Sequence, residues 1–353
     1  MKQKYQMLII IFILMLFSLI NNYSASFIMG NYQSYFVKEL IWYLVGFLLI
    51  FLMIKLNISL LYKYSFYFYL FGNFLLILAL TIGPEINGST SWLQIGPVSL
   101  QPSEFMKIFL VLFLYYISNK NKKIRDYQYI LITLLIVLIP SILTFLEPDT
   151  GAVILYWIIY LGFLIHRKLN KWWYIISLTT VIFFSVTFMF IYYNYQDLFI
   201  DLFGTTFFYR MDRITDFYNR DGYQISRAII SIGSSGLFGH GIRTFPEYFP
   251  EAPTDFAFAL LISNVGLIGM FIFLIVYFAL LIKMINIMNS KNQGLILPIL
   301  LLLFIQFSIN VLMNIGLFPI IGITLPFISY GGSNLISYMV LMGLVIEHKR
   351  LKG

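Results

Sequence analysis

The chain has 353 residues, of which 60% are hydrophobic and only 11% are charged, less than half the roughly quarter expected of a soluble domain. It has no cysteine, which excludes disulfides, iron–sulfur clusters and thiolate chemistry. Its three histidines, His166, His240 and His348, stand at no ligand spacing, so zinc and haem are not expected. A formal charge of +8 would suggest nucleic acid as a partner in a soluble protein; in an all-α polytopic membrane protein, as this composition implies, the placement of the charges carries the meaning.

A helix needs about 20 apolar residues to cross the bilayer core. Ten runs qualify as crossings, near 7–28, 37–54, 64–82, 103–118, 127–146, 149–165, 172–193, 255–282, 294–314 and 334–347. The first run lacks a small-residue cleavage site and reads as a retained helix, not a signal peptide. Most of the 23 basic residues fall in alternate loops, among them Lys55 and Lys63, Lys120 to Arg125, Arg167 to Lys171, and Lys349 to Lys352. Basic residues collect in cytoplasmic loops, so both termini are expected inside the cell. One long extracellular loop, 194–254, then lies between the seventh and eighth crossings, and the whole chain, 1–353, reads as a single membrane domain.

Several polar residues interrupt this pattern, beginning with Trp92 in the outer segment "NGSTSWLQIGP", either a member of the interfacial aromatic belt or a stacking surface for a sugar ring. The fourth span opens "QPSEFMK" and sets Glu104 and Lys107 three residues apart on one helix face, close enough to pair. Ionisable residues inside a span are either a structural ion pair or a substrate contact. Glu147 and Asp149 flank Pro148 in the next outer turn, two acids where a turn alone needs none, which invites a cation or hydroxyl partner.

Further along, Arg210 and Arg213 in the long loop have the spacing and chemistry for pyrophosphate, or for salt bridges with Asp212 and Asp216. Asp255 stands directly before the apolar run "FAFALLI", as a helix-end charge or as a catalytic acid. Prolines and glycines in "NIGLFPIIGITLPFISYGGSN" argue for a broken or re-entrant backbone lining a cavity.

The motifs "NGSTSWLQIGPVSLQPSEFMK", "EPDTGA", "GYQISRAIISIGSSGLFGHG", "FPEAPTDFAFALL" and "NIGLFPIIGITLPFISYGGSN", in this order over nearly the full length, resemble the SEDS (shape, elongation, division and sporulation) family of bacterial cell-wall proteins, the RodA/FtsW/SpoVE group. The resemblance implies ten membrane helices and a peptidoglycan glycosyltransferase that polymerises lipid II on the outer face of the cell membrane with a class B penicillin-binding protein as transpeptidase partner. It implies that Asp255 is the catalytic base and that Trp92, Gln101, Glu104, Lys107, Asp149, Arg210, Arg213 and Ser329 bind substrate. The chemistry admits a divalent cation, magnesium or manganese, held by acids; flavin and nucleotide are not expected. The chain departs from the family pattern at Ser91, where an arginine is usual, at Pro253, and at Asn264, where an acid is common. Two other functions use the same residues: a flippase for a lipid-linked precursor, and a weakly active scaffold for a wall-synthesis transpeptidase.

Overall fold

The structure, a computed structural model, describes residues 2–28, 34–56, 58–85, 88–96, 98–120, 124–204, 222–242, 244 and 250–350. Its helices are α1 (Lys2–Ile28), α2 (Tyr35–Lys55), α3 (Ser59–Lys63), α4 (Ser65–Ile82), α5 (Pro102–Lys120), α6 (Asp126–Leu146), α7 (Thr150–Arg167), α8 (Lys171–Asn194), α9 (Gln196–Phe203), α10 (Tyr223–Ser234), α11 (Ala257–Ile287), α12 (Gln293–Asn314) and α13 (Gly332–Ile346). A short antiparallel hairpin, β1 (Leu93–Ile95) and β2 (Val98–Leu100), precedes α5.

Each of the ten apolar runs falls on a helix, and among the described residues seven of these helices (α1, α2, α4, α6, α7, α11 and α12) are long and apolar enough to cross a membrane. Helices suit this sequence because they satisfy every backbone donor and acceptor within the segment, where no water could. α13, 15 residues long, is a shorter apolar helix. In α5 the ion pair of Glu104 and Lys107 interrupts the apolar character.

Lipid tails are as apolar as leucine, so the helices are held to one another by close packing and interhelical hydrogen bonds more than by hydrophobic exclusion. α7 packs on α12, α2 on α13, α1 on α11, and α4 on α5. Small residues permit this: a Cβ on Gly162 of α7 would lie 2.6 Å from Pro298 Cα of α12. At one end of the bundle Lys4 of α1 pairs with the buried Glu347 after α13, and Arg350 donates to the Ile54 carbonyl of α2, tying both chain ends to one place.

α11 is broken where the sequence suggested continuity. Gly266 adopts φ 69°, ψ −172°, and the loop after α10 fills the break. His240 N donates to Ser263 O (2.7 Å) and Gly241 N to Asn264 O (3.2 Å), while Leu267 N and Ile268 N donate to Gly236 O and Leu237 O, each at 3.1 Å. The carbonyls and amides freed by the break are thereby satisfied in the loop. A Cβ on Gly266 would lie 2.3 Å from Gly239 N, so the approach requires glycine. The break sets the segment 257–265, which is buried almost throughout, at an angle to the lipid-facing remainder of α11.

Candidate active site

Four chain segments meet at the opposite end of the bundle: the hairpin segment 88–101, the turn at 147–149, the turn at 250–256 and the irregular segment 315–331. They enclose a cavity of about 220 Å³, lined among others by Trp92, Gln101, Glu104, Asp149, Glu251, Asp255, Gln306, Thr324, Tyr330 and Asn334. That is smaller than the ~300–1,000 Å³ of sites that swallow a drug-sized ligand, and it suits one end of a large one.

Pro102 opens α5 with the φ a first helical turn needs, and Glu104 follows in that turn. Lys107 Nζ lies 2.6 Å from Glu104 Oε2, a charge contact more than an aligned hydrogen bond, and Ser337 Oγ donates to the same oxygen (3.1 Å). Glu104 faces the cavity, but Lys107 is 0% exposed, sits 5.0 Å from the Tyr338 ring centroid and does not line the cavity. The expected direct contact of Lys107 with a ligand is therefore not what this geometry offers. Removing a buried cation from its acid would leave an uncompensated charge, and the pair behaves as one unit.

Asp149 is the N-cap of α7. Its Oδ1 accepts from Ala152 N (3.0 Å), and its Oδ2 accepts from Gln101 Nε2 (2.9 Å) and Ser103 Oγ (3.0 Å). Three donors hold the carboxylate, so Gln101 and Asp149 reach the cavity wall already bonded to one another. Glu147, two residues earlier, is buried with both carboxylate oxygens unpartnered; burial, and then the charge of Asp149, push it up to about 9. Its backbone carbonyl accepts from Ser89 Oγ (2.5 Å) and Ser91 Oγ (2.9 Å). Ser91 thus fastens the Trp92 segment to the acidic turn.

The turn holding Asp255 is fixed through its backbone. Asn310 and Asn314 of α12 donate to the Asp255 carbonyl at 2.9 and 3.0 Å, and Asn314 Oδ1 accepts from Ala259 N (2.9 Å) in the first turn of α11. Asn314 therefore satisfies an amide in the first turn of α11, whose N-cap residue, Phe256, has no side-chain acceptor to do so. Asp255 lines the cavity, and a Cβ added to Gly322 would lie 4.0 Å from its Oδ2. Ser329, 2% exposed, accepts from Leu325 N (2.8 Å) and donates to Thr254 O (2.5 Å). It does not line the cavity, so its hydroxyl holds the Asp255 turn and is not the substrate contact expected from the sequence. Pro253 O accepts from Tyr330 N (2.8 Å), and Asn264 bonds Asn21 and Ser24 of α1 at 3.0 and 2.7 Å, so both departures from the family pattern have partners.

Sequence reasoning missed the support that α2 gives the cavity wall at Tyr330 and Gly331. Tyr35 stacks on Tyr330 (3.8 Å between centroids, 8° between planes), Trp42 packs against Gly332, and Tyr43 donates to the Phe327 carbonyl. Glu39 accepts from Ser18 Oγ (3.2 Å) and faces the Gly331 amide at the start of α13. Burial, with Tyr35 and Glu39 as neighbours, holds the Tyr330 phenol above its ordinary range. Glu251, also missed, lines the cavity with φ 55°, a conformation few non-glycine residues adopt, and accepts from Thr254 Oγ1 (2.6 Å). Gln306, Asn310 and Asn314 did leave a signal: polar residues every fourth position in an apolar span. Arg210 and Arg213 lie outside the described residues.

Comparison with known proteins agrees with this architecture. The sequence model of the FtsW/RodA/SpoVE family of cell cycle proteins matches residues 5–352. The chain belongs to that family. It is 33% identical to a probable peptidoglycan glycosyltransferase FtsW of Coxiella burnetii, over 92% of this chain and 90% of that protein. Its fold matches a chain from a peptidoglycan synthase complex that coordinates polymerization and crosslinking (TM-score 0.79, 22% identity, 99% of this chain and 98% of the other). It also matches the rod shape determining protein RodA of Thermus thermophilus (TM-score 0.69, 22% identity, 99% and 98%).

Proposed function

We propose that this protein is a peptidoglycan glycosyltransferase that polymerises lipid II, with Asp255 as general base. The observation that carries the reading is the placement of Asp255: it borders a polar cavity in an apolar bundle, while Asn314 caps the helix behind it. The names of the family relatives supply the reaction class. In the step proposed, an acceptor sugar hydroxyl attacks the anomeric carbon of the lipid-linked donor and passes its proton to an Asp255 oxygen. The bond from that carbon to the pyrophosphate oxygen breaks, the lipid pyrophosphate leaves with the electron pair, and the configuration inverts. A positioned base of this kind contributes typically about 10²–10⁴-fold.

The rigid backbone clamp by Asn310, Asn314 and Ser329 gives the base a fixed position, which is what proximity catalysis requires. Gln101 and Asp149 form a second fixed wall, and Glu104, with Lys107 behind it, a third. The polar residues lie at the end of the bundle that the distribution of basic residues places outside the cell, with ten crossings and both termini inside. A class B penicillin-binding protein is the partner that would crosslink the product.

A divalent cation belongs to this proposal as a neutraliser of the pyrophosphate. Among the described residues no three acids or histidines come together to hold one. Asp255 and Glu251, which line the same cavity, would hold it together with substrate phosphate oxygens and water, an arrangement magnesium accepts.

The test is glycan synthesis from purified lipid II in liposomes, with Asp255→Asn beside the unaltered protein, each with and without its transpeptidase. Polymer from the unaltered protein alone supports the reading. Lipid movement without polymer in both would identify a flippase instead, and equal activity in both would remove Asp255 from the chemistry.

A further inference from the structure

The inner part of the cavity is lined by two amide side chains whose oxygens no described residue satisfies. Gln306 is 1% exposed and Asn334 6%, both line the cavity, and Gln306 Oε1 and Asn334 Oδ1 are buried with no hydrogen-bond partner. The orientation of Gln306 is set chemically: its Nε2 donates to the Thr324 carbonyl (3.2 Å), which can only accept, and to the Tyr338 hydroxyl. Asn334 Nδ2 donates to Thr324 Oγ1 (2.6 Å). Thr324 therefore gathers the donor ends of both amides and leaves their acceptor ends unbonded. A buried acceptor with no donor is costly in a folded protein, and two on one cavity wall point to a ligand that completes them.

The charges nearby decide what that ligand end can be. Glu104 on this wall is already neutralised by Lys107 at 2.6 Å, so a cation brought to Gln306 would be desolvated without a free counter-charge. An anion would meet two carbonyl oxygens with Glu104 beside them on the same wall. A neutral group that donates hydrogen bonds meets neither obstacle.

We infer that Gln306 and Asn334 form a subsite that reads hydroxyl donors of a sugar ring, and that the pyrophosphate lies away from this wall. The inference rests on the glycosyl transfer proposed above and names which part of the substrate this wall recognises. Asn334 and Gln306 are binding residues in this scheme; they take no part in proton transfer.

The experiment uses the full chain in liposomes with lipid II and with lipid II analogues in which single sugar hydroxyls are replaced by hydrogen. The unaltered protein is expected to show KM raised about tenfold or more for at least one deoxy analogue, with kcat less affected, since a lost hydrogen bond to a buried acceptor is of that size. Asn334→Leu and Gln306→Met are expected to raise KM for native lipid II by a similar factor and to lose the discrimination against that analogue, whereas Asn334→Asp, which keeps an acceptor, retains it. The deoxy series needs no altered protein, so misfolding of a variant leaves it decisive. A protein that polymerises lipid II but treats every deoxy analogue like the native sugar overturns the subsite alone. A protein that neither binds nor polymerises lipid II overturns the proposed function, and the subsite with it.

Discussion

Asp149 and Asp255 each stand at the entrance of a helix that runs into the apolar core, and both border the same cavity. At the first entrance the carboxylate itself does the structural work: it caps α7 through Ala152 N and receives Gln101 and Ser103. At the second, α12 does that work. Asn314 caps α11, and Asn310 and Asn314 together hold the Asp255 carbonyl. An aspartate before a helix thus has no fixed meaning; the meaning depends on which group satisfies the helix amides. Where another side chain takes that duty, the carboxylate can be kept for chemistry.

Substitutions can break this contrast. The largest effect is expected from Asp255→Asn, which should lower polymerisation of lipid II by about 10²–10⁴-fold with a smaller change in melting temperature than Asp149→Ala, because the clamp on the backbone stays in place. A comparable loss of melting temperature would show that Asp255 is a structural acid like Asp149. Next, Asn314→Ala leaves the buried Ala259 amide without its acceptor and removes one of the two donors to the Asp255 carbonyl, at a cost of about 1–3 kcal/mol. Thermal unfolding in detergent should record the loss, and the activity should fall with it.

Asp149→Ala should cost about 0.5–2 kcal/mol through the lost cap, and Asp149→Asn clearly less, since asparagine caps as well. If the two variants melt alike, the hydrogen bonds at Asp149 do not stabilise the fold as described.

Glu147→Gln is expected to act in the opposite direction, stabilising the fold by an amount that grows with pH. The folded state holds Glu147 protonated up to about 9, whereas the unfolded chain ionises it near 4.5. The folded protein then binds the extra proton, so stability falls as pH rises from about 4.5 to about 9 and levels off above. Glu147→Gln lacks this slope. Its melting temperature should gain on that of the unaltered protein steadily across the window, and a constant gap would mean that Glu147 is charged when folded.

Much of the site was legible because its residues sit in irregular, polar segments between apolar runs: Trp92, Gln101, Asp149 and Asp255 all reach one cavity, and Glu104 joins them from the first turn of α5. The expectation of substrate contact at Lys107 and Ser329 came from the family resemblance, which carries residue positions but not their burial, and both lie behind the wall. Gln306, Asn310 and Asn314 were hidden by their surroundings, a span whose apolar character dominated its reading. The helices α9 and α10 were likewise folded into the long segment 194–254, whose mixture of signs and glycines reads as loop.

The sequence by itself determined the helical class, the order and approximate ends of the spans, and the pairing of Glu104 with Lys107. Each of these is local: a helix in lipid satisfies its own backbone, and residues three apart on a helix are neighbours whatever surrounds them. Only the tertiary structure decided what each polar group does. Whether Asp255 caps a helix or faces a cavity depends on Asn314, 59 positions away. The break at Gly266 depends on backbone donors supplied by the segment 236–241, and the wall at Tyr330 on α2. Hydrogen-bond satisfaction in an apolar bundle is settled across distant segments, and no local pattern encodes the partner.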